Sequence, residues 1–219
     1  MILAAGRGER LRPLTDQIPK PLIEVGGQAL IDRHLQALSR AGVNKVVINI
    51  SWLGEQIRDH VGDGSRWNLE IAYSPEPAGA LETAGGIRRA LPLLDSNCFL
   101  VISGDVLTDY DFRTLINDRP GGLAHLVMVD NPAHHAGGDF SLTERGLLQA
   151  KGDKRLTYAG IGLFRSEMFA DLDPDVAMPL RPLLEQAINT GQLSGEHYPG
   201  SWMDIGSPQR LAAARQQTG

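Results

Sequence analysis

The chain opens on a short apolar run, Met1 to Ala5, which leads straight into Gly6-Arg7-Gly8-Glu9-Arg10-Leu11-Arg12, with Pro19-Lys20-Pro21 close behind. A strand that ends in two glycines and three arginines, followed by a lysine held between two prolines, restricts this end of the chain more than any other stretch does. Gly6 and Gly8 permit backbone conformations and close approaches that a Cβ blocks, so successive N–H groups can turn toward an anion. Arg7, Arg10, Arg12 and Lys20 supply positive charge. The pattern outlines a phosphate site, although an exposed basic loop after a strand has the same composition. Two better-known phosphate loops do not fit. The dinucleotide fingerprint needs a third glycine where Leu11 stands, and neither glycine begins the spacing of a P-loop.

Apolar periodicity supplies the fold class. Residues 29–41 carry Leu30, Ile31, Leu35 and Leu38 at helical spacing and end at Gly42, a glycine C-cap. Lys45–Ile50 and Cys98–Ser103 are continuous apolar runs, the mark of strands buried on both faces of a parallel sheet. Residues 68–73 alternate like a strand, and 53–61 and 83–91 have helical patterns. Regular alternation to about residue 118 predicts a doubly wound α/β sheet with right-handed crossovers. Further on, strands are expected at 123–129, 139–149, 156–164 and 194–198. The middle two should pair antiparallel around turns at Arg145-Gly146 and Lys151-Gly152-Asp153. Helices are expected at 179–190 and from Ser207 onward, with Ser207 as N-cap and Pro208 at N1.

With 219 residues, no low-complexity tract and no repeat, one domain spanning 1–219 is expected. The formal net charge of −5 argues against nucleic acid and against an anionic membrane as partners, so an anionic ligand needs a local cationic cluster. The single cysteine, Cys98, has no metal-ligand spacing and belongs beside a strand. No secretory h-region opens the chain, and a cytoplasmic protein is expected. Met1 already lies inside the first expected strand, so a few residues are expected to precede it.

Open sheets bind ligands outside the carboxyl ends of their strands. The glycine loop, 74–77 and Gly104-Asp105 all follow strands on that rim. Asp105 alone has the look of a solvated turn aspartate, but Asp204 lies in a comparable place, after a short strand and before a helix. Two hard oxygen ligands beside a phosphate loop suit Mg²⁺, which keeps several waters and takes the rest of its shell from substrate phosphates. The glycines of 77–86 allow close approach to a flat ring, and a backbone N–H with a neighbouring C=O can read an imide edge. A helix-entry loop with Thr83 as N-cap is the plainer reading of Glu82 and Thr83. His134 and His135 have no spaced ligands around them and are expected to be solvated. Trp52 and Trp67 are expected to pack.

Residues 3–15 and 19–21 match, without a gap, the pattern Leu-Ala-Ala-Gly-x-Gly-x-Arg-x-x-Pro-Leu-Thr and Pro-Lys-Pro. This resembles the signature of the sugar-1-phosphate nucleotidylyltransferases, whose Gly-Asp and Trp-x-Asp-x-Gly motifs are matched at 104–105 and 202–206. The resemblance implies a Rossmann-like nucleotidyltransferase fold, a mixed and mostly parallel sheet with a small sugar-binding extension. Residues 1–118 would form mainly the nucleotide half and 119–219 the sugar half. It implies that Leu3, Ala4, Ala5, Gly6, Arg7, Gly8, Glu9 and Arg10 wrap a triphosphate, and that Arg10 and Lys20 are catalytic. It also implies that Pro77, Glu82, Thr83 and Gly85 serve the base and that Asp105 and Asp204 hold Mg²⁺. Asp139, Gly160 and Glu185 match sugar-lining segments. Ser141 stands where glycine is frequent, and the Glu-Lys-Pro motif of longer relatives has no counterpart.

Over nearly its whole length the chain most resembles the short uridylyltransferases that act on N-acetylmuramic acid 1-phosphate in cell-wall recycling. UTP and that sugar phosphate are the implied substrates, and the lack of the C-terminal segments that join longer relatives implies a monomer. A guanylyl- or thymidylyltransferase for mannose- or glucose-1-phosphate is the enzymatic alternative. A non-catalytic nucleotide sensor is the alternative of another class, and retention of both aspartates and the lysine speaks against it.

Overall fold

In the computed structural model, which describes residues 1–77, 81–117 and 121–218, strand β1 (Ile2–Leu3) leads into the glycine loop. A hairpin follows, β2 (Glu24–Val25) and β3 (Gln28–Ala29). Then come α1 (Leu30–Arg40), β4 (Lys45–Ile50), α2 (Gly54–Val61), β5 (Glu70–Pro75), α3 (Glu82–Leu94) and β6 (Cys98–Ser103). The second half holds β7 (Val106–Thr108), α4 (Phe112–Asn117), β8 (Ala124–Val129), β9 (Phe140–Leu142), β10 (Leu148–Gln149) and β11 (Arg155–Arg165). It closes with α5 (Arg181–Asn189), β12 (Leu193–His197), β13 (Trp202–Asp204) and α6 (Pro208–Thr218).

The main sheet is mixed, as expected. Strands β6, β1, β4 and β5 lie side by side and parallel. The long β11 joins antiparallel to β6, β8 and β9, and β12 adds parallel to β8. Side chains alternate across each strand, so Leu100 and Ile102 enter one apolar cluster with Leu35 and Ile57 of α1 and α2. Phe99 and Val101 enter the other, with Ile87 of α3 and Leu184 of α5. Both faces are thus covered, which is why these strands are apolar throughout. Gly42, at φ +80, follows α1 and ends it as the sequence predicts. Ser207 Oγ accepts the Arg210 N–H at 3.3 Å and caps α6.

Several expectations need correction. Thr83 is inside the first turn of α3 and not its N-cap; Leu81 holds that position without a side-chain cap bond. The stretch 139–149 is two short strands, β9 and β10, and not one, joined by the turn expected at Arg145-Gly146, where Gly146 takes φ +74 and Thr143 Oγ1 donates to the Leu147 carbonyl at 3.0 Å. The pairing of β7 with β13 was not foreseen, since both strands are three residues long and exist only through each other. No helix among the described residues is long and apolar enough to cross a membrane.

Candidate active site

The site is built on the rim where β1, β4, β5 and β6 end. Leu3 pairs with Asn49 on one side and Ser103 on the other, and Glu76 follows β5. Together with Ala4, Ala5, Gly6, Lys20, Glu82, Thr83, Gly104 and Asp105 these residues line a cavity of about 220 Å³. A Cβ on Gly6 would meet no atom within 4 Å, so this glycine leaves room for a ligand. Gly8 takes φ +69, and a Cβ there would press on Thr15 Cγ2 at 3.0 Å. Its carbonyl accepts from Thr15 Oγ1 at 2.8 Å, which folds the loop back on itself ahead of the turn Glu9–Leu11.

The basic residues of the loop separate by role. Arg7 pairs with Asp16, donates to the Thr15 carbonyl at 2.7 Å and lies 4.0 Å over the Trp52 ring. Arg12 pairs with Asp16 at 2.9 Å. The Arg7 guanidinium, with Arg12 behind it, holds the Asp16 carboxyl below its ordinary value. These two arginines therefore brace the loop. Arg10 makes no ion pair among the described residues, and a Cβ on Gly206 would lie 3.1 Å from its Nη2, which places it beside the Asp204 segment. Lys20 forms an ion pair with Asp105.

Asp105 leaves β6 after Gly104, where a Cβ would stand 2.6 Å from the Leu3 carbonyl oxygen; only glycine lets the chain pass this close to β1. The β7–β13 pairing then brings Asp204 alongside, with the Ile205 N–H donating to the Asp105 carbonyl at 2.8 Å. Arg210 Nη1 lies 2.8 and 2.7 Å from the two Asp204 oxygens, and His134 Nε2 lies 3.2 Å from one of them. His134 is exposed, as expected of it, and reaches Asp204 from the solvent side. His135 pairs with Asp139 at 3.2 Å. No group of three or more His, Cys, Asp or Glu is gathered as a metal cage among the described residues. Asp105 lines the cavity and Asp204 sits on the neighbouring strand, and two such hard oxygen donors fit a cation that takes its other ligands from water and phosphate, in place of their present pairs with Lys20 and Arg210.

Asn49, which sequence reasoning passed over, and Glu76, from the 74–77 segment expected on this rim, tie the rim together. Asn49, 3 % exposed, accepts the Ala4 N–H at 2.7 Å and donates to Glu76 Oε1 at 2.6 Å. Glu76 Oε2 accepts the Leu81 N–H at 2.8 Å. The signal was present: an asparagine inside Val-Val-Ile-Asn-Ile is a polar group in a buried run and must have partners. In the expected base segment, residues 78–80 lie outside the described residues. Pro77 is exposed, with its carbonyl accepting from Ser51 Oγ at 3.3 Å, and does not line the cavity. Gly85 does not line it either; a Cβ there would meet the Val176 carbonyl oxygen at 2.6 Å, so it packs α3 on 176–178. Gly86 is the glycine in contact with Glu76 and Asn49.

A second cavity, about 420 Å³, adjoins the first through Leu3, Glu82, Thr83 and Ser103 and is closed by Asp139, Phe140, Tyr158, Pro179, Leu180, Arg181 and Leu184. Asp139 is fixed there by the Tyr158 N–H at 2.9 Å. Gly160 sits where β11 bulges, at φ +72, against Ser103 Oγ. Glu185, one turn further along α5, pairs with Arg181 Nε at 2.9 Å and does not line the cavity.

His34 of α1 stands near this rim, 3 % exposed, with Nε2 unpartnered among the described residues. Burial pulls its imidazole from 6.5 down to about 4, against the opposing pull of Asp105 and the Val106 backbone. The folded chain binds this proton less readily than the unfolded chain, so the stability it contributes is complete above 6.5 and is lost as pH falls toward 4. His34→Leu is expected to flatten that part of a plot of urea midpoint against pH; an unchanged slope would assign it to other groups.

The nucleotidyl transferase family matches residues 1–129. The N-acetylmuramate alpha-1-phosphate uridylyltransferase of Neisseria meningitidis serogroup B is 48 % identical over 225 residues, covering 100 % of this chain and 97 % of its own. The chain belongs to the nucleotidyl transferase family. A relative of the same name from Caulobacter vibrioides is 33 % identical over 98 % of this chain and 94 % of its own. Among solved structures, a Bacillus anthracis protein in complex with a sucrose superposes with a TM-score of 0.87 at 20 % identity, covering 99 % of this chain and 93 % of the other. HddC from Yersinia pseudotuberculosis complexed with GMP-PN does so with a TM-score of 0.81 at 21 % identity, covering 100 % and 98 %. These likenesses extend the fold of this nucleotidyl transferase over the whole chain, including β9 to α6, beyond the residues that the family match covers.

Proposed function

We propose that the chain transfers a uridylyl group from UTP to N-acetylmuramic acid 1-phosphate, giving the UDP-sugar and pyrophosphate. The observation that carries this reading is the full-length 48 % identity to the Neisseria enzyme of that name. The two adjoining cavities support it, one beside the glycine loop for the nucleotide and one against α5 for the sugar. The division of one domain into a nucleotide half, 1–118, and a sugar half, 119–219, is part of the proposal, as is a monomer working in the cytoplasm, where UTP is made.

The attacking group is a phosphate oxygen of the sugar phosphate, which bonds to the α-phosphorus of UTP as the bond to pyrophosphate breaks. That oxygen is already anionic, so no general base is needed. The barrier is alignment and repulsion between negative charges, which fixed cations and N–H donors lower. Lys20 lines the first cavity, which adjoins the second, and neutralises charge where the two phosphates meet. Arg10 and the loop N–H groups hold the β- and γ-phosphates. Asp105 and Asp204 would hold Mg²⁺, which when bound withdraws charge from the α-phosphate.

Pyrophosphate release measured across four triphosphates, with muramyl, glucosyl and mannosyl phosphates as acceptors, tests the reading. UTP with N-acetylmuramic acid 1-phosphate is expected to be fastest. GTP with mannose-1-phosphate as the best pair would replace it with a guanylyltransferase, and no release with any pair would leave a nucleotide sensor. EDTA is expected to abolish turnover and added Mg²⁺ to restore it.

A further inference from the structure

We propose that Arg181 reads the second negative charge of the acceptor, the lactyl carboxylate by which N-acetylmuramic acid 1-phosphate differs from N-acetylglucosamine 1-phosphate. This rests on the functional reading above and assigns its selectivity to one side chain. Among the described residues lining the second cavity, Arg181 is the sole cation. The wall around it has an apolar side, with Phe140, Leu180 and Leu184 buried, and a polar side that includes the carboxylates Glu82 and Asp139, so an anionic ligand group has one place to go. A sugar bearing an acetamido methyl, a lactyl methyl and a carboxylate calls for apolar surface with one cation set in it.

The position of Arg181 is hard to explain by helix stability. It is the first residue of α5, at the positive end of the helix dipole, where an anion is favoured and a cation is not. Its pair with Glu185 runs cation first, the weaker order for an i,i+4 pair. Its guanidinium lies 5.0 Å over the Phe140 ring, which sets the plane of the fork. Nε is engaged by Glu185, and Nη1 reaches Asp139 only at 3.4 Å. Nη2 makes no hydrogen bond among the described residues, and the side chain is 47 % exposed. At this cavity-lining side chain Nη2, with the second N–H of Nη1, can therefore take a carboxylate through two N–H groups. Asp139, anchored by the Tyr158 N–H, holds the guanidinium in place until the ligand arrives.

The test compares the wild type with Arg181→Gln and Arg181→Lys, using UTP and either N-acetylmuramic or N-acetylglucosamine 1-phosphate. In Arg181→Gln the preference for the muramyl acceptor, as a ratio of kcat/KM values, is expected to fall about 10- to 100-fold, the loss of one charge-assisted contact. The change should lie in KM for the muramyl acceptor, with KM for UTP and the thermal midpoint unmoved. Lysine should restore part of the preference, since it returns the charge without the fork. Equal losses with both acceptors would make Arg181 a wall residue only, and an unchanged ratio would place the carboxylate elsewhere; either overturns the proposal. A wild type that does not prefer the muramyl acceptor would overturn the functional reading itself, before any variant is made.

Discussion

Lys20→Ala is expected to lower kcat by at least about 100-fold, the loss typical of removing one donor that acts in the transition state. Lys20 begins the turn Lys20–Leu22 and is flanked by Pro19 and Pro21, whose rings fix φ on either side. Its backbone is thus set before any ligand binds, and its Nζ already meets Asp105 at the cavity floor. The substitution removes charge where two anionic phosphates must approach, so kcat should fall much more than KM for UTP rises. The fold should survive. The Lys20–Asp105 pair keeps 15 % and 26 % of its side chains exposed, so water can still reach the Asp105 carboxylate when its partner is removed. Steady-state rates with a thermal melt check both halves. Full turnover in a folded variant would take the lysine out of the mechanism.

Asn49→Leu should destabilise the chain by roughly 2–5 kcal/mol, because it leaves two buried groups unsatisfied at about 1–3 kcal/mol each, more where one is charged. The groups are the Ala4 N–H and Glu76 Oε1, both bonded to Asn49 in the intact chain. Leucine has nearly the right volume, so packing does not confound the result. Asn49→Asp keeps the acceptor for Ala4 but sets two carboxyl groups together, and should lie below wild type for a different reason. KM for UTP is expected to rise in both, since the bonds run from the Leu3–Gly6 wall through Glu76 to Leu81, at the entry of α3. Urea midpoints of the two variants give the measurement. An unchanged midpoint in Asn49→Leu would mean that these bonds do not hold the rim together.

The same contrast runs through the whole molecule. The glycine loop, the strand–helix alternation to about residue 118, the Gly42 terminus and the Ser207 cap were all legible, because each depends on side-chain period or backbone freedom within a few residues of chain. Asp105 and Asp204 could be named from their motifs, yet nothing in the sequence predicted β7, the strand whose pairing with β13 makes them neighbours. Arg7 braces the loop through Asp16, nine residues on, a pairing with no periodic signature. His134 lies 70 residues from Asp204 in the chain and 3.2 Å from it in space.

What the chain specifies locally is therefore which groups line the rim and which segments carry them: two glycines, Lys20 between prolines, and aspartates placed where strands end. Which cation meets which carboxylate was left to the tertiary structure, as were the Asn49–Glu76 tie, the turning of Gly85 away from the cavity and the seating of Arg181 over Phe140. Those contacts join residues tens of positions apart, and such pairs are selected only when the sheet closes and each buried polar group must find a partner.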